Sequence, residues 1–176
     1  MELVNSGQPT PRAITAAAGA AEQGQYLTFV LGGEAFAIGI LAIKEIIEYE
    51  EVSAVPMMPA YVRGVINLRG TVVPVVDLGV RFGMHAVAVT KRTCIVIVEI
   101  EMNTERNVIG LMVDAVSAVL DVPASEIEQP PTFGAKIRTD FIQGMGKING
   151  RFVILLDVDH VLAPDEMAAL AEASNP

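Results

Sequence analysis

Three groups of residues could do chemistry, and the most suggestive of them lies near the C-terminal end of the chain. Asp157, Asp159 and His160 fall within four consecutive residues. Carboxylate and imidazole groups this close together can ligate a metal ion or exchange protons. The same segment ends an apolar run and precedes a short helix, where aspartate is a common N-cap. The sequence therefore favours capping, and a small metal-dependent enzyme or ligand-binding barrel is the alternative.

The other two groups are the single cysteine and a glycine-rich stretch. Cys94 lies near the start of an apolar run with no histidine motif beside it. A catalytic thiol needs a base and an electropositive setting, so we predict that Cys94 packs. Gly144, Gly146 and Gly150 resemble a dinucleotide-binding loop, but the spacing is wrong and a strand follows instead of a helix. The sequence thus predicts no catalytic residue, no metal and no cofactor.

Composition limits the class of protein. The chain has 176 residues, of which 52% are hydrophobic, enough for one domain or two small lobes around a common core. No apolar run reaches the roughly 18 residues of a membrane-spanning helix, and the N-terminal residues lack a signal-peptide core. These features and the single cysteine predict a cytoplasmic protein without membrane insertion. The net charge of −9 and the scattered basic residues argue against nucleic acid and anionic lipid as partners.

Short β-branched runs separated by turn residues fill the middle of the chain. Asn149 and Gly150 form a strong signal for a type I′ turn, and Gly32-Gly33 and Gly70 mark further turns. Many short strands with tight turns are typical of small barrels or a sandwich, so the sequence predicts an all-β fold. The predicted strands are 26–31, 36–40, 64–68, 71–76, 93–100, 108–113, 115–122 and 152–156.

Helices are predicted to be few and short. Single turns are expected at residues 41–45 and 59–63, and the clearest helix is expected from Pro164 to Ala173, with proline and acidic residues in its first turn. Residues 1–24 are rich in small residues and predict a disordered or flexible tail. The expected division is therefore a tail at 1–24, a β domain at 25–163, and a helix and tail at 164–176.

An internal repeat is the most informative feature of the organisation. Residues 61–78 align without a gap to residues 141–158, so that glycines and aspartates coincide 80 positions apart. A weaker match, at an offset of 73, pairs residues 36–40 with 109–113. The repeat predicts two related β lobes with an additional apolar core where they meet. A chance resemblance between two apolar hairpins is the alternative.

One further segment has the character of a surface strand. From Ile43 to Tyr49 apolar and charged residues are mixed, and in strand geometry neither face is cleanly apolar. This pattern is expected of a half-exposed strand lining a groove between lobes, or of a plain edge strand. Arg69, beside the turn residue Gly70, can either order the turn through carbonyl groups or offer its planar fork to a partner carboxylate.

The segment GVINLRGTVVPVVDL at residues 64–78 closely resembles the signature of CheW-like domains. Residues 38–47, the loop at 55–59, and residues 108–116, 144–148 and 154–158 match in kind and order, so the resemblance covers about residues 25–163. It implies two small five-stranded, OB-like β-barrels on a shared core, without catalytic activity. It also implies two partners, which are the regulatory domain of the histidine kinase CheA and the cytoplasmic tip of methyl-accepting chemoreceptors.

The resemblance further implies a location and a site. The chain is expected to be a free-standing adaptor, monomeric when free and assembled into receptor arrays beside the membrane, and a non-flagellar chemosensory pathway is the alternative output. The kinase contact is expected at exposed apolar barrel ends, without assignment to residues. The positions carried over to a receptor-binding groove are Ile43, Glu45, Ile46, Gly64, Asn67 and Arg69, and, on the second lobe, Val108 and Val113.

Overall fold

The computed structural model describes residues 24–102, 104–129 and 141–162. Strands dominate this part of the chain, which confirms the all-β prediction. The strands are β1 (Gln25–Leu31), β2 (Glu34–Gly39), β3 (Ile43–Glu48), β4 (Val62–Leu68), β5 (Thr71–Asp77), β6 (Cys94–Met102), β7 (Glu105–Val113), β8 (Ala115–Asp121), β9 (Ile127–Glu128), β10 (Ile142–Ile148) and β11 (Arg151–Leu156). The helices are α1 (Leu78–Arg81) and α2 (Val158–Val161), with 3-10 turns at Ile40–Ala42 and Ala124–Glu126.

Two of the predicted helical turns differ from the structure. The first is a 3-10 turn that already ends at Ala42, because the isoleucines that follow enter strand β3. The second, at residues 59–63, is only a turn at residues 60–61, and β4 begins at Val62. The predicted N-terminal tail, except for Gly24, and the predicted C-terminal helix lie outside the described residues. Within those residues no helix is long and apolar enough to cross a membrane.

The strands form two sheets, and each sheet draws on both halves of the sequence. The six-stranded sheet has the order β8-β1-β2-β11-β10-β9, and the five-stranded sheet has the order β3-β6-β7-β5-β4. The first hairpin of each half therefore joins the second hairpin of the other half. The expected placement of Val108 and Val113 on the second lobe is therefore wrong. Strand β7 lies in the same sheet as β3 and β4.

The internal repeat is reproduced in the strand pairing. Leu155 pairs with Ala37 in the parallel β11–β2 ladder, and Val75 pairs with Gly110 in the parallel β5–β7 ladder. Subtracting 80 from 155 gives 75, and adding 73 to 37 gives 110, so the two ladders have the same register. The 80-residue and 73-residue offsets found in the sequence therefore convert the paired residues of one sheet into the paired residues of the other.

The two equivalent hairpins also share their turns. In the β4–β5 turn Arg69 and Gly70 have φ values of 52° and 87°, and in the β10–β11 turn Asn149 and Gly150 have values of 52° and 78°. Positive φ at both central residues is the mark of a type I′ turn, which matches the right-handed twist of the strands. The turn predicted at Asn149 is confirmed. Arg69 adopts the same conformation although it is neither asparagine nor glycine, the residues that usually occupy this region of φ.

One apolar core runs between the two sheets. The rings of Phe29, Phe36, Phe82 and Phe141 follow one another with centroid separations of 6.0, 5.7 and 5.8 Å. Phe29 and Phe36 lie in the six-stranded sheet, whereas Phe82 follows α1 and Phe141 precedes β10. The core that contains them also takes in buried residues of the five-stranded sheet, so the two lobes are packed on a shared core. A smaller cluster around Tyr26 fills the six-stranded lobe. The expected core between the lobes is therefore continuous with the main core.

Candidate interaction surface

An ion pair joins the two edges of the five-stranded sheet. Glu45 lies on β3 and Arg69 lies in the turn after β4, and these strands are at opposite ends of the strand order. The Arg69 guanidinium nevertheless donates a hydrogen bond to the Glu45 carboxylate. The sheet must therefore curl until its edges approach, although the described strands show no ladder between β3 and β4. The curled sheet is the part of the structure that corresponds to the barrel implied by the sequence resemblance.

The turn that carries Arg69 is held by Asn67. The Asn67 side-chain oxygen accepts a hydrogen bond from the Gly70 backbone amide at 2.7 Å. This bond fixes the turn in which Arg69 has its positive φ. The Arg69 side chain is 68% exposed and that of Glu45 is 16% exposed. The pair thus presents an arginine fork to solvent on a rigid support.

Gly64 supports the same hairpin from below. Its φ is +147°, and a Cβ atom built there would lie 2.0 Å from the backbone oxygen of Ser53. Ser53 and Val65 exchange two backbone hydrogen bonds of 2.9 Å, which bring the preceding segment against the edge of β4. Only glycine allows the two backbones to approach so closely. Gly64 is buried and shapes this surface from beneath.

The other sequence-predicted residues fall into two groups. Ile43 and Val113 are buried, with 4% and 0% exposure, so they lie in the core beneath the surface. Ile46 and Val108 are half-buried and pack against that core. A register shift between Ile43 and Glu45 breaks the strict alternation of β3, so that both Glu45 and Ile46 remain partly accessible. The structure therefore brings Glu45, Asn67 and Arg69 together, with Ile46 on the same strand as Glu45.

The ion pair distinguishes the two lobes. By the offsets of the repeat, the positions equivalent to Glu45 and Arg69 are Ala118 and Asn149. Ala118 lies on β8, where its backbone exchanges hydrogen bonds with the Thr28 hydroxyl. Neither residue is charged, so the equivalent turn of the six-stranded lobe has no such pair. The two lobes of the duplicated scaffold thus differ in this ion pair.

Comparison with known proteins places the chain. The CheW-like domain family matches residues 25–166. The chain is 35% identical to a chemotaxis protein CheW of Klebsiella aerogenes, over 82% of this chain and 84% of the relative. It is 36% identical to the corresponding protein of Rhizobium meliloti, over 82% and 91% of the two chains. The chain belongs to the CheW-like family.

A solved structure agrees with this assignment. The scaffolding protein TtCheW of Thermoanaerobacter tengcongensis has 30% sequence identity to this chain, with a TM-score of 0.70. The likeness covers 80% of this chain and 88% of that protein. The CheW-like family is a family of scaffolds and adaptors, and this member accordingly acts as a chemotaxis scaffold. The two β lobes expected from the sequence resemblance are present, but one sheet has six strands where five were expected.

Sequence reasoning missed two exposed apolar residues of this CheW-like chain. Val72 on β5 is 66% exposed and Phe152 on β11 is 51% exposed. They are equivalent by the 80-residue repeat, and each is the second residue of its strand. A signal was present, because Val72 and Val73 point to opposite faces of one strand and both are apolar. A strand that is apolar on both faces either is covered on both sides or offers one face to a partner.

The candidate metal site is a helix cap. The Asp157 carboxylate accepts a hydrogen bond from the His160 backbone amide at 3.3 Å and lies 2.7 Å from its Nδ1 atom. Its counterpart Asp77 caps α1 in the same way, through the Val80 amide at 3.2 Å. The capping prediction is confirmed. Asp77 is fully buried, however, and also pairs with Arg63 at 2.7 Å.

Cys94 lies where β3, β6 and β8 come together. Burial raises the pKa of its thiol above the usual value, and the negative charge of Glu48 raises it further, although a backbone hydrogen bond from Val116 acts in the opposite direction. The Cys94 thiol also donates to the Arg92 carbonyl at 3.4 Å. A raised pKa keeps the sulfur protonated, which is the opposite of what a nucleophilic thiolate requires.

Proposed function

We propose that this chain is a scaffold without catalytic activity, which joins a histidine kinase of the CheA type to the cytoplasmic tip of methyl-accepting chemoreceptors. Membership of the CheW-like family supports the proposal, because its relatives are chemotaxis proteins and a solved relative is a scaffolding protein. The scaffold acts in the cytoplasm, where these two partners meet, and needs no cofactor. Its contribution is to hold two proteins in one assembly.

The observation that carries the receptor side of the proposal is the Glu45–Arg69 pair, with its exposed arginine. An arginine that is 68% exposed keeps donors available for a partner carboxylate while one donor is bound to Glu45. The Asn67 hydrogen bond holds the turn before any partner arrives, so little conformational freedom is lost on binding. Ile46 adds apolar area on the strand that carries Glu45. We assign the receptor contact to this charged edge.

The kinase side is assigned to the exposed apolar residues. Val72 borders a cleft of about 420 Å³ between β5 and β7, where Pro74 and Val108 also contribute apolar atoms. The two strands pair only from Val75 and Gly110 onwards, so the cleft opens where they diverge. Phe152 occupies the equivalent place on the other lobe. Apolar and aromatic anchors in desolvated clefts supply most of the free energy in protein interfaces.

The proposed mechanism is a shift of populations. A scaffold that contacts both partners transmits a receptor movement only if its contacts differ in free energy between the kinase's active and inactive states. The coupling of such linked equilibria is typically about 1–3 kcal/mol. The two proposed contact surfaces adjoin on the β4–β5 hairpin, where Val72 pairs with Asn67, and Phe152 provides a further apolar contact on the other lobe. Neither contact requires any chemistry by the scaffold.

The test is reconstitution from purified components. The full chain is mixed with the kinase and with receptor-containing membranes, and receptor control of autophosphorylation is measured with and without the chain. We expect receptor-dependent kinase activity only when the chain is present, and we expect binary binding to the kinase regulatory domain and to a receptor-tip hairpin. Absence of binding to both partners, with the chain folded, would reject the proposed function.

A further inference from the structure

Arg81, at the end of α1, lies between two residues that are equivalent in the internal repeat. Its guanidinium carbon is 4.9 Å from the ring centroid of Tyr61 and 4.6 Å from that of Phe141. Tyr61 and Phe141 are 80 positions apart and each precedes the equivalent hairpin of its half. A cation in contact with both rings is held by the negative faces of the two π systems.

The hydrogen bond of Arg81 follows the same symmetry. Its Nε atom donates to the backbone carbonyl of Val161 at 3.0 Å. Val161 ends α2 and is the residue equivalent to Arg81 itself, again 80 positions later. The Arg81 side chain thus contacts the two equivalent aromatic residues and also Val161, the residue equivalent to Arg81 in the second half. Arg81 therefore lies close to the pseudo-twofold axis that relates the two lobes.

Each aromatic residue is fixed to its own lobe by the same backbone contact. The Asp77 amide donates to the Tyr61 carbonyl at 2.7 Å, and the Asp157 amide donates to the Phe141 carbonyl at 2.8 Å. These aspartates are the N-caps of α1 and α2. Each lobe thus has a rigid unit made of an aromatic residue, a capping aspartate and a short helix. Arg81 is a contact that joins one unit to the other.

The contacts of Arg81 are directional, and those of the surrounding core are not. Apolar packing tolerates small rotations, because its free energy depends on the area removed from water. A planar guanidinium between two rings, with one hydrogen bond to a carbonyl, is satisfied in a narrow range of orientations. Tyr61 leads directly into β4, whose hairpin carries Arg69. A change in the orientation of the lobes at Arg81 therefore moves the proposed receptor edge.

We propose that Arg81 is a positioning residue which sets the orientation of the two lobes, so that the kinase contact proposed at Phe152 on the six-stranded lobe is linked to the receptor edge on the five-stranded lobe. The part of the proposal that concerns linkage between partners rests on the proposed function. The part that concerns lobe orientation does not, because it is a property of the unbound chain.

The first measurement uses no partner. Amide hydrogen exchange is compared in the wild type, Arg81→Met and Arg81→Lys, with Arg92→Met as the control, because Arg92 is an exposed arginine of a loop. Methionine keeps much of the length but loses the charge and the donor. Lysine keeps a cation but loses the flat fork. We expect faster exchange at the start of β4, the start of β10 and α2 in Arg81→Met, with a smaller increase in Arg81→Lys.

The second measurement uses both partners. The affinity for the receptor-tip hairpin is determined with and without saturating kinase regulatory domain. We expect Arg81→Met to bind each partner alone with an affinity within about threefold of the wild type. In coupled systems one partner typically changes the affinity for the other by about 5–150-fold, and we expect this change to fall to near onefold in Arg81→Met. A variant that is merely less stable would lower binding of both partners without removing their linkage.

The outcomes separate the two proposals. Wild-type exchange in Arg81→Met, or unchanged linkage with intact binary binding, would overturn the role of Arg81. If Arg81→Met does not fold, Tyr61→Leu, which removes one ring at a half-buried position, is carried through both measurements with the same criteria. If the wild type binds neither partner, the proposed function fails and the exchange experiment still decides lobe orientation.

Discussion

Glu45 and Arg69 form an ion pair although their strands lie at opposite edges of the five-stranded sheet. The pair closes the curl of that sheet and also forms its exposed charged edge. A substitution at either residue therefore has two effects, on the fold and on a partner, and these must be separated. In the other lobe the equivalent positions are Ala118 on β8 and Asn149 in the β10–β11 turn, which makes the comparison within one chain direct.

A charge swap separates the two effects. Glu45→Arg or Arg69→Glu alone should lower the free energy of unfolding by about 0.2–1 kcal/mol, because the largely exposed Arg69 is screened by solvent, and should weaken receptor binding. The double swap restores the ion pair, so stability should recover while receptor binding does not. Urea unfolding and titration with a receptor-tip hairpin measure the two quantities. The exposed Glu99–Arg106 pair, with an N–O distance of 3.2 Å, is the matched control. Receptor binding that recovers in the double swap would show that the pair acts only on the fold.

Gly64 should tolerate no side chain. A Cβ atom there would clash with the Ser53 carbonyl at 2.0 Å, and its φ of +147° is strained for any other residue. We expect Gly64→Ala to lower the free energy of unfolding by about 1–3 kcal/mol, measured by urea unfolding. Gly39→Ala is the control, because Gly39 has an ordinary φ of −64° and nothing within 4 Å of the added atom. Equal effects of the two substitutions would contradict this account.

The exposed apolar residues should matter for binding and little for stability. Val72→Glu and Phe152→Glu should change the free energy of unfolding by less than about 1 kcal/mol, because neither side chain is buried. Loss of an interface anchor typically costs about 2 kcal/mol or more in binding, so affinity for the kinase regulatory domain should fall by at least tenfold. Calorimetric titration measures this. Val89→Glu changes a loop residue that is 52% exposed and should leave the affinity unaltered.

The two capping aspartates should differ in their contribution to stability. Asparagine also caps helices, so Asp77→Asn and Asp157→Asn both keep the cap but lose the charge. Asp77 is fully buried against Arg63, whereas Asp157 is a third exposed and lies beside His160. Removing one partner of a buried pair costs about 3–5 kcal/mol, and the partial exposure of Arg63 reduces this. Unfolding experiments should therefore show a loss several times larger for Asp77→Asn, and similar losses would exclude the buried pair as the cause.

The Cys94 thiol should react only at raised pH. Burial, assisted by Glu48, raises its pKa in the folded chain above that in the unfolded chain. The protonated Cys94 thiol therefore contributes to stability below the pKa that it has in the unfolded chain, and this contribution is lost as pH rises through its pKa in the folded chain. The rate of alkylation by iodoacetamide should rise at higher pH in the folded chain than in urea, and Glu48→Gln should move the folded profile to lower pH. Superimposable profiles would refute this.

The sequence alone determined the features that depend on neighbouring residues. Most of the strands, the type I′ turn at Asn149 and the cap at Asp157 follow from local backbone preferences and from the period of apolar residues. Strands β9 and β10 were not among the predicted strands. The internal repeat could also be recognised in the sequence, because equivalent hairpins need glycine and aspartate at equivalent positions. These elements, together with the motif around Asn67 and Arg69, were sufficient to predict the fold class and the family.

Only the tertiary structure decided which strands share a sheet. Alternation along a strand shows that it has two faces but carries no information about its hydrogen-bonding neighbours, so the exchange of hairpins between halves was invisible in the sequence. For the same reason the burial of Ile43 and Val113, the exposure of Val72 and Phe152, and the meeting of Glu45 with Arg69 could not be derived. Each of these depends on contacts between residues far apart in the chain, which the curl of the sheets and the packing of the lobes bring together.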